Sequence, residues 1–128
     1  MSYILIDTSV WIAYFRGDDR AKILNDYIDS NRISTNDIIL SELLPSILFQ
    51  EKHELADILK TIHTLPLEIN WEEIRRYQLN NMLKGINKVG IPDIIILQNA
   101  ITNDAELLTR DKHFRLMANH INCKVTVI

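Results

Sequence analysis

Tyr3-Ile4-Leu5-Ile6 is an uninterrupted apolar run that stops at a carboxylate, Asp7. A run that is apolar at every position, and not at every second one, describes a strand covered on both faces, as in a parallel sheet. Parallel strands need long crossovers between them, and those crossovers are usually helices. The rest of the chain reads that way. Thr8 and Ser9 offer N-cap oxygens for a helix through Val10, Trp11, Ile12, Tyr14 and Phe15, with Gly17 as its stop. A second helix is predicted from Asp19 to Ser30, with Ala21, Ile23, Leu24, Tyr27 and Ile28 inward. Ile33-Ser34-Thr35 reads as the second strand. Asn36 or Asp37 caps a helix carrying Ile38, Ile39, Leu43, Leu44, Ile47 and Leu48, which Pro45 should kink or split. Helical spacing returns at Leu55, Ile58, Leu59 and Ile62. Leu65 to Ile69 reads as a strand, Trp71 to about Lys84 as a helix begun at Asn70, and Gly85 to Gly90 as a loop. Asp93 opens an apolar helix through Ile101. Glu106 to Thr109 is a strand, Asp111 to Asn119 a helix, and Lys124 to Ile128 a closing strand. Alternating strands and helical patterns predict an α/β three-layer sandwich, with a mostly parallel sheet of about five strands flanked by helices.

Composition agrees with one domain over 1–128, since 128 residues is an ordinary domain length and 47% of them are apolar. A single cysteine, Cys123, excludes a disulfide framework. The longest apolar runs, such as Ile94-Ile95-Ile96-Leu97, are too short to span a bilayer, and no basic n-region precedes an apolar stretch at the start. Together these predict a cytoplasmic protein with no membrane partner. His53, His63, His113 and His120 have no zinc-type spacing with Cys123. The net charge of −3, from 14 basic and 17 acidic residues, argues weakly against duplex binding by counterion release.

Open α/β sheets bind ligands beyond the carboxyl ends of their strands. Asp7 ends the first strand, and Asp111 lies two residues past the strand ending at Thr109. Asp93 opens a helix whose next residues are Ile94, Ile95, Ile96 and Leu97, and Glu42 sits between Leu40 and Leu43 on the helix after the second strand. Each acid alone has an ordinary reading: a helix cap, a first-turn acid favoured by the macrodipole, or a solvated helix face. Taken together, the four fall on separate elements that a sandwich brings to one edge, and no Lys or Arg adjoins Asp7, Glu42 or Asp93. Carboxylates near a core are costly unless paired or bound to metal, and Mg²⁺ takes oxygen ligands. Setting those four aside leaves 13 acids against 14 bases, so the acidic balance does not oppose a polyanionic substrate.

The same residues resemble a known family. Ile6-Asp7-Thr8-Ser9-Val10-Trp11-Ile12 with Phe15-Arg16-Gly17 is similar to the start of a PIN-domain ribonuclease of the VapC toxin type. The likeness continues through Ile33-Ser34-Thr35, Leu40-Ser41-Glu42-Leu43-Leu44, Ile91-Pro92-Asp93 and Leu107-Leu108-Thr109-Arg110-Asp111-Lys112-His113-Phe114. It implies an endoribonuclease that hydrolyses RNA phosphodiesters with Mg²⁺, or Mn²⁺, as the toxin of a type II toxin–antitoxin pair. It implies Asp7, Glu42, Asp93 and Asp111 as the catalytic and metal-binding acids, with Asp7 and Asp93 as core ligands. Thr8, Ser9 and Thr109 carry hydroxyls suited to holding those carboxylates. Arg16, Arg110 and Lys112 are candidates for RNA phosphate contact. A small antitoxin and a homodimer are the implied protein partners. The expected antitoxin groove lies between the first two helices and the Glu42 helix, walled by Tyr14, Ile38, Leu44, Ile47, Leu48 and Phe49. Two features depart from the family pattern. Bulky residues follow Asp93 where small ones are usual, and Arg115 stands near the place of a further acid. The alternative reading is a catalytically weak or inactive PIN-like module that binds RNA or protein. A phospho-accepting receiver domain fails on residue type, because Asp7 is followed by Thr8 and Ser9 and the run to Ile69 ends at Asn70.

Overall fold

The structure is a computed structural model that describes residues 2–128. Five short strands, β1 (Ile4–Ile6), β2 (Ile33–Thr35), β3 (His63–Thr64), β4 (Glu106–Thr109) and β5 (Val125–Val127), form one sheet in the order β3-β2-β1-β4-β5. Every pairing is parallel. Leu5 stands opposite Ser34 on one side and Leu107 on the other. Ile4, Leu5 and Ile6 are all buried, as an apolar run covered on both faces requires.

Among the described residues seven α-helices connect and cover the strands: α1 (Thr8–Phe15), α2 (Ile23–Asp29), α3 (Asp37–Phe49), α4 (His53–Lys60), α5 (Trp71–Leu83), α6 (Ile91–Thr102) and α7 (Lys112–Ala118). The chain runs outward from β1 through β2 to β3, then returns to pair β4 on the other flank of β1. The carboxyl ends of β1 and β4 therefore bound the topological switch point, where a crevice opens in sheets of this class. The core joins β1 and β4 to α6, whose residues Ile94 to Ala100 are all buried.

Several local expectations need correction. The residues 65–69 carry no regular structure, and the third strand is the exposed pair His63–Thr64 just before them. The segment is pinned by side chains instead: Asn99 Nδ2 donates to the Pro66 carbonyl at 2.9 Å. The predicted second helix begins as a 3-10 turn, Asp19–Lys22, and only Ala21 and Leu24 of its inner face are buried. Pro45 does not split α3, which stays continuous around it. Thr8 and Ser9 do not cap α1, because Asp7 is the N-cap and both hydroxyls are used elsewhere. Gly17 does close α1, at φ +76°, a left-handed geometry that favours glycine. Among the described residues no helix is long and apolar enough to cross a membrane.

Candidate active site

Asp7 follows β1 directly, and its N–H continues the β1–β4 ladder by donating to the Leu108 carbonyl at 3.0 Å. Its carbonyl accepts from Val10 and Trp11 and so starts α1. Its carboxylate is not used for capping. Ser9 Oγ donates to Asp7 Oδ2 at 2.7 Å, and Thr109 Oγ1 donates to the same oxygen at 2.8 Å. Asp7 is 6% exposed, and neither hydroxyl occupies Oδ1. The Thr109 oxygen also accepts from Asp111 N at 3.0 Å, and Ser9 Oγ accepts from Arg110 N at 3.1 Å. These bonds tie the loop after β4 to the start of α1, so that Asp7 and Asp111 share one edge.

Asp111 caps α7. Its Oδ1 accepts from His113 N at 2.9 Å and lies 2.7 Å from His113 Nδ1. The ordinary reading of Asp111 as a cap is thus correct, and it leaves Oδ2 unused by these bonds. His113 turns to this carboxylate. Asp93 is the third residue of α6, after the N-cap Gly90 and Pro92. The nearby Gly90 backbone favours its ionised form. Glu42 projects from α3 at an exposed position, where Thr8 Oγ1 donates to its Oε1 at 3.1 Å. Asn36 fixes the start of that helix by accepting from Ile39 N at 2.9 Å.

Asp93 and Glu42 feel neighbouring acids. Burial raises the Asp93 carboxyl above its ordinary range, and the charges of Asp7 and Asp111 add to the rise. Burial also raises Glu42, against the Thr8 hydrogen bond, and the charges of Asp7 and Asp93 push the same way. Among the described residues none of the four pairs with Lys or Arg; the one partner is His113 on Asp111. A local excess of negative charge without a protein counter-ion is what a divalent cation relieves. Among the described residues no three His, Cys, Asp or Glu side chains are grouped closely enough to hold a metal ion together. Mg²⁺ keeps several waters and binds through one or two carboxylates. All-oxygen donors with no paired thiol or imidazole set are hard-cation chemistry.

The predicted basic contacts separate. Arg110 Nη1 is held by Asp18 Oδ2 at 3.3 Å, whereas Arg16 and Lys112 are exposed and make no ion pair among the described residues. Arg16 lies with Glu42 in a groove between α1 and α3, and Lys52 is at that groove too, a cation the sequence reading missed. Its signal was faint, because Lys52 is brought near only by the left-handed turn at Glu51, φ +58°. Cys123 is half-buried, and burial pushes its thiol up to about 11, so it is no nucleophile.

The family profile described as PIN domain matches residues 4–119. The chain belongs to the PIN-domain family. No curated protein matches it by sequence. Solved structures match this PIN domain in fold. The VapBC2 complex of Rickettsia felis bound to a DNA fragment from its promoter aligns with a TM-score of 0.75 at 18% identity, covering 98% of each chain. DNA-bound VapBC from Salmonella typhimurium aligns at 0.77 and 15%, covering 99% of this chain and 98% of that one. VapBC-5 of Mycobacterium tuberculosis, a member of the VapBC family of toxin–antitoxin systems, aligns at 0.73 and 20% over the full length of both. At these identities the likeness is one of fold, and the fold is the α/β sandwich with a parallel sheet predicted above.

Proposed function

We propose that this PIN domain is a divalent-metal-dependent endoribonuclease and the toxin of a toxin–antitoxin pair. One observation carries the reading: Asp7 and Asp111 are tied to one edge of the sheet through Ser9 and Thr109, Glu42 and Asp93 both feel the charge of Asp7, and among the described residues none of the four pairs with Lys or Arg. In this reading Asp7 and Asp93 hold the ion, and Glu42 and Asp111 complete the acidic edge. A bound Mg²⁺ or Mn²⁺ supplies Lewis-acid polarisation of a phosphate oxygen and a water of lowered pKa. Ser9 and Thr109 fix Asp7 through Oδ2 and keep Oδ1 turned to the ligand side. Thr8 anchors Glu42 through Oε1, which leaves Oε2 to orient a water. Asp111 is held still by the α7 N-terminus and His113. The exposed cations Arg16 and Lys112 draw the phosphate backbone toward the edge.

The toxin assignment rests on the match to the fold of VapBC complexes. It is supported by an apolar groove of about 390 Å³ between α1, α2 and α4, lined by Trp11, Tyr14, Phe15, Leu55, Ile58 and Ile62 among others. Of the residues expected to wall the antitoxin groove, Tyr14 lines this one, and Ile47 lines a separate groove between α1 and the Glu42 helix.

The test is RNA cleavage with Mg²⁺, with EDTA, and with Asp7→Asn and Asp93→Asn. Cleavage that needs the metal and falls by about 100-fold or more in both variants is expected, on the scale of losing a transition-state charge stabiliser. Activity that survives EDTA, or is full in both variants, overturns the reading. A folded wild-type chain that binds RNA and cuts none is a non-catalytic binding module.

A further inference from the structure

The groove between α1 and α3 leads away from Glu42 and is not needed to hold a metal ion. It is about 250 Å³ and is lined by Ile12, Phe15, Arg16, Glu42, Ile47 and Lys52, among others. Drug-sized ligands occupy pockets of about 300–1,000 Å³, so this one suits a single nucleoside, not a whole strand. Its walls are of two kinds. Phe15, 37% exposed, offers an aromatic surface, and the ring is held by Trp11 at 5.8 Å with the planes 28° apart. Arg16 and Lys52 are exposed cations that pair with no acid among the described residues. An aromatic face flanked by unpaired cations is the chemistry that takes an unstacked base and its phosphates. A slot between two helices excludes a paired duplex.

Building on the ribonuclease reading, we propose that this groove is a subsite for one unpaired nucleotide next to the scissile phosphate. Phe15 stacks the base, while Arg16 and Lys52 hold the backbone. Phe15 and Lys52 then determine which unpaired nucleotide enters.

The test uses binding and not turnover, so that it stands apart from the catalytic claim. Asp93→Asn is titrated with a fluorescent single-stranded RNA oligonucleotide, read by anisotropy. One abasic nucleotide is moved through the oligonucleotide in turn. At one position base removal should weaken binding about 10-fold, within the range of a base–aromatic stack. Adding Phe15→Leu should cost a similar factor on the intact RNA and remove the sensitivity to the abasic site. Adding Lys52→Ala, at an exposed position that does not threaten folding, should lower the slope of log Kd against log salt by about one. Affinity unchanged by every abasic substitution and by both variants overturns the subsite and leaves the groove to a protein partner. Equal affinity for the same RNA as a duplex also overturns it. If base-dependent binding is found but wild-type chain cuts no RNA, the subsite stands and the hydrolytic reading falls.

Discussion

Thr109 shows how much rests on one side chain. Its hydroxyl is fully buried, donates to Asp7 and accepts from Asp111 N, so it joins two of the four acids. Thr109→Val keeps the shape and deletes both bonds. Mg²⁺ affinity is expected to fall by about 10–100-fold, the usual cost of losing an outer partner of a metal ligand, as read by calorimetric titration. An unchanged affinity would show that Asp7 needs no such support. Asp93 gives a prediction of opposite sign for stability. Its carboxyl is raised by burial and by like charges, so without metal the folded chain holds its proton to higher pH than the unfolded chain does. Stability from this group therefore falls as pH rises through the carboxylate range, and it stays lost above it. Asp93→Asn removes that penalty. The metal-free variant should unfold a few degrees higher than wild type at pH 7, with the gap closing toward about pH 4. Added Mg²⁺ should then stabilise wild type and leave the variant where it was.

At the scale of elements, the sequence was legible where a local pattern and the tertiary need agreed. The run before Asp7, the strand Ile33–Thr35, the strand Glu106–Thr109 and the Asn70 cap all appear as read. Leu65 to Ile69 has strand-like composition but no strand, because hydrogen bonding to the Pro66 carbonyl and around Asn70 by Asn99, Asn103 and Gln98 takes the place of a ladder. Those partners lie 28 or more residues away, beyond any local pattern. Asn36 belongs to the same web: it caps α3 and donates to Asn99 Oδ1 at 2.9 Å, joining the helices that carry Glu42 and Asp93. Asn36→Ala should cost about 2–3 kcal/mol, a lost cap plus an unpaired buried amide, measured by denaturant unfolding. Pro45 is the reverse case. It lies exposed inside an unbroken helix where it withholds a donor, so Pro45→Ala should stabilise the chain by about 1–3 kcal/mol. A loss of stability would mean that the proline's restriction of the unfolded chain dominates.

For the whole molecule, topology makes the site. The acids are spread from position 7 to position 111, and Asp7 and Asp111 share an edge because the chain doubles back to set β4 beside β1. That shared edge was readable from strand order alone for Asp7 and Asp111, since residues after parallel strands share an edge. The acids' hydroxyl supports at Thr8, Ser9 and Thr109 were readable as residue types, and the structure supplies their bonds. What stayed hidden was the place of Lys52 at the groove beside them, set by the turn at Glu51. The net charge of −3 is concentrated where a cation is needed, so overall acidity and an RNA substrate are compatible. The bulky residues after Asp93 fill the core under the sheet and leave the edge open. The most direct measurement is Mn²⁺ binding to the purified chain, followed by electron paramagnetic resonance or calorimetry in wild type, Asp7→Asn and Asp93→Asn. Saturable binding that each substitution weakens by about 100-fold is the expected result, on the scale of charge-assisted ligation. Binding that is absent from wild type, or equal in all three chains, would contradict the metal-centre reading of the four acids.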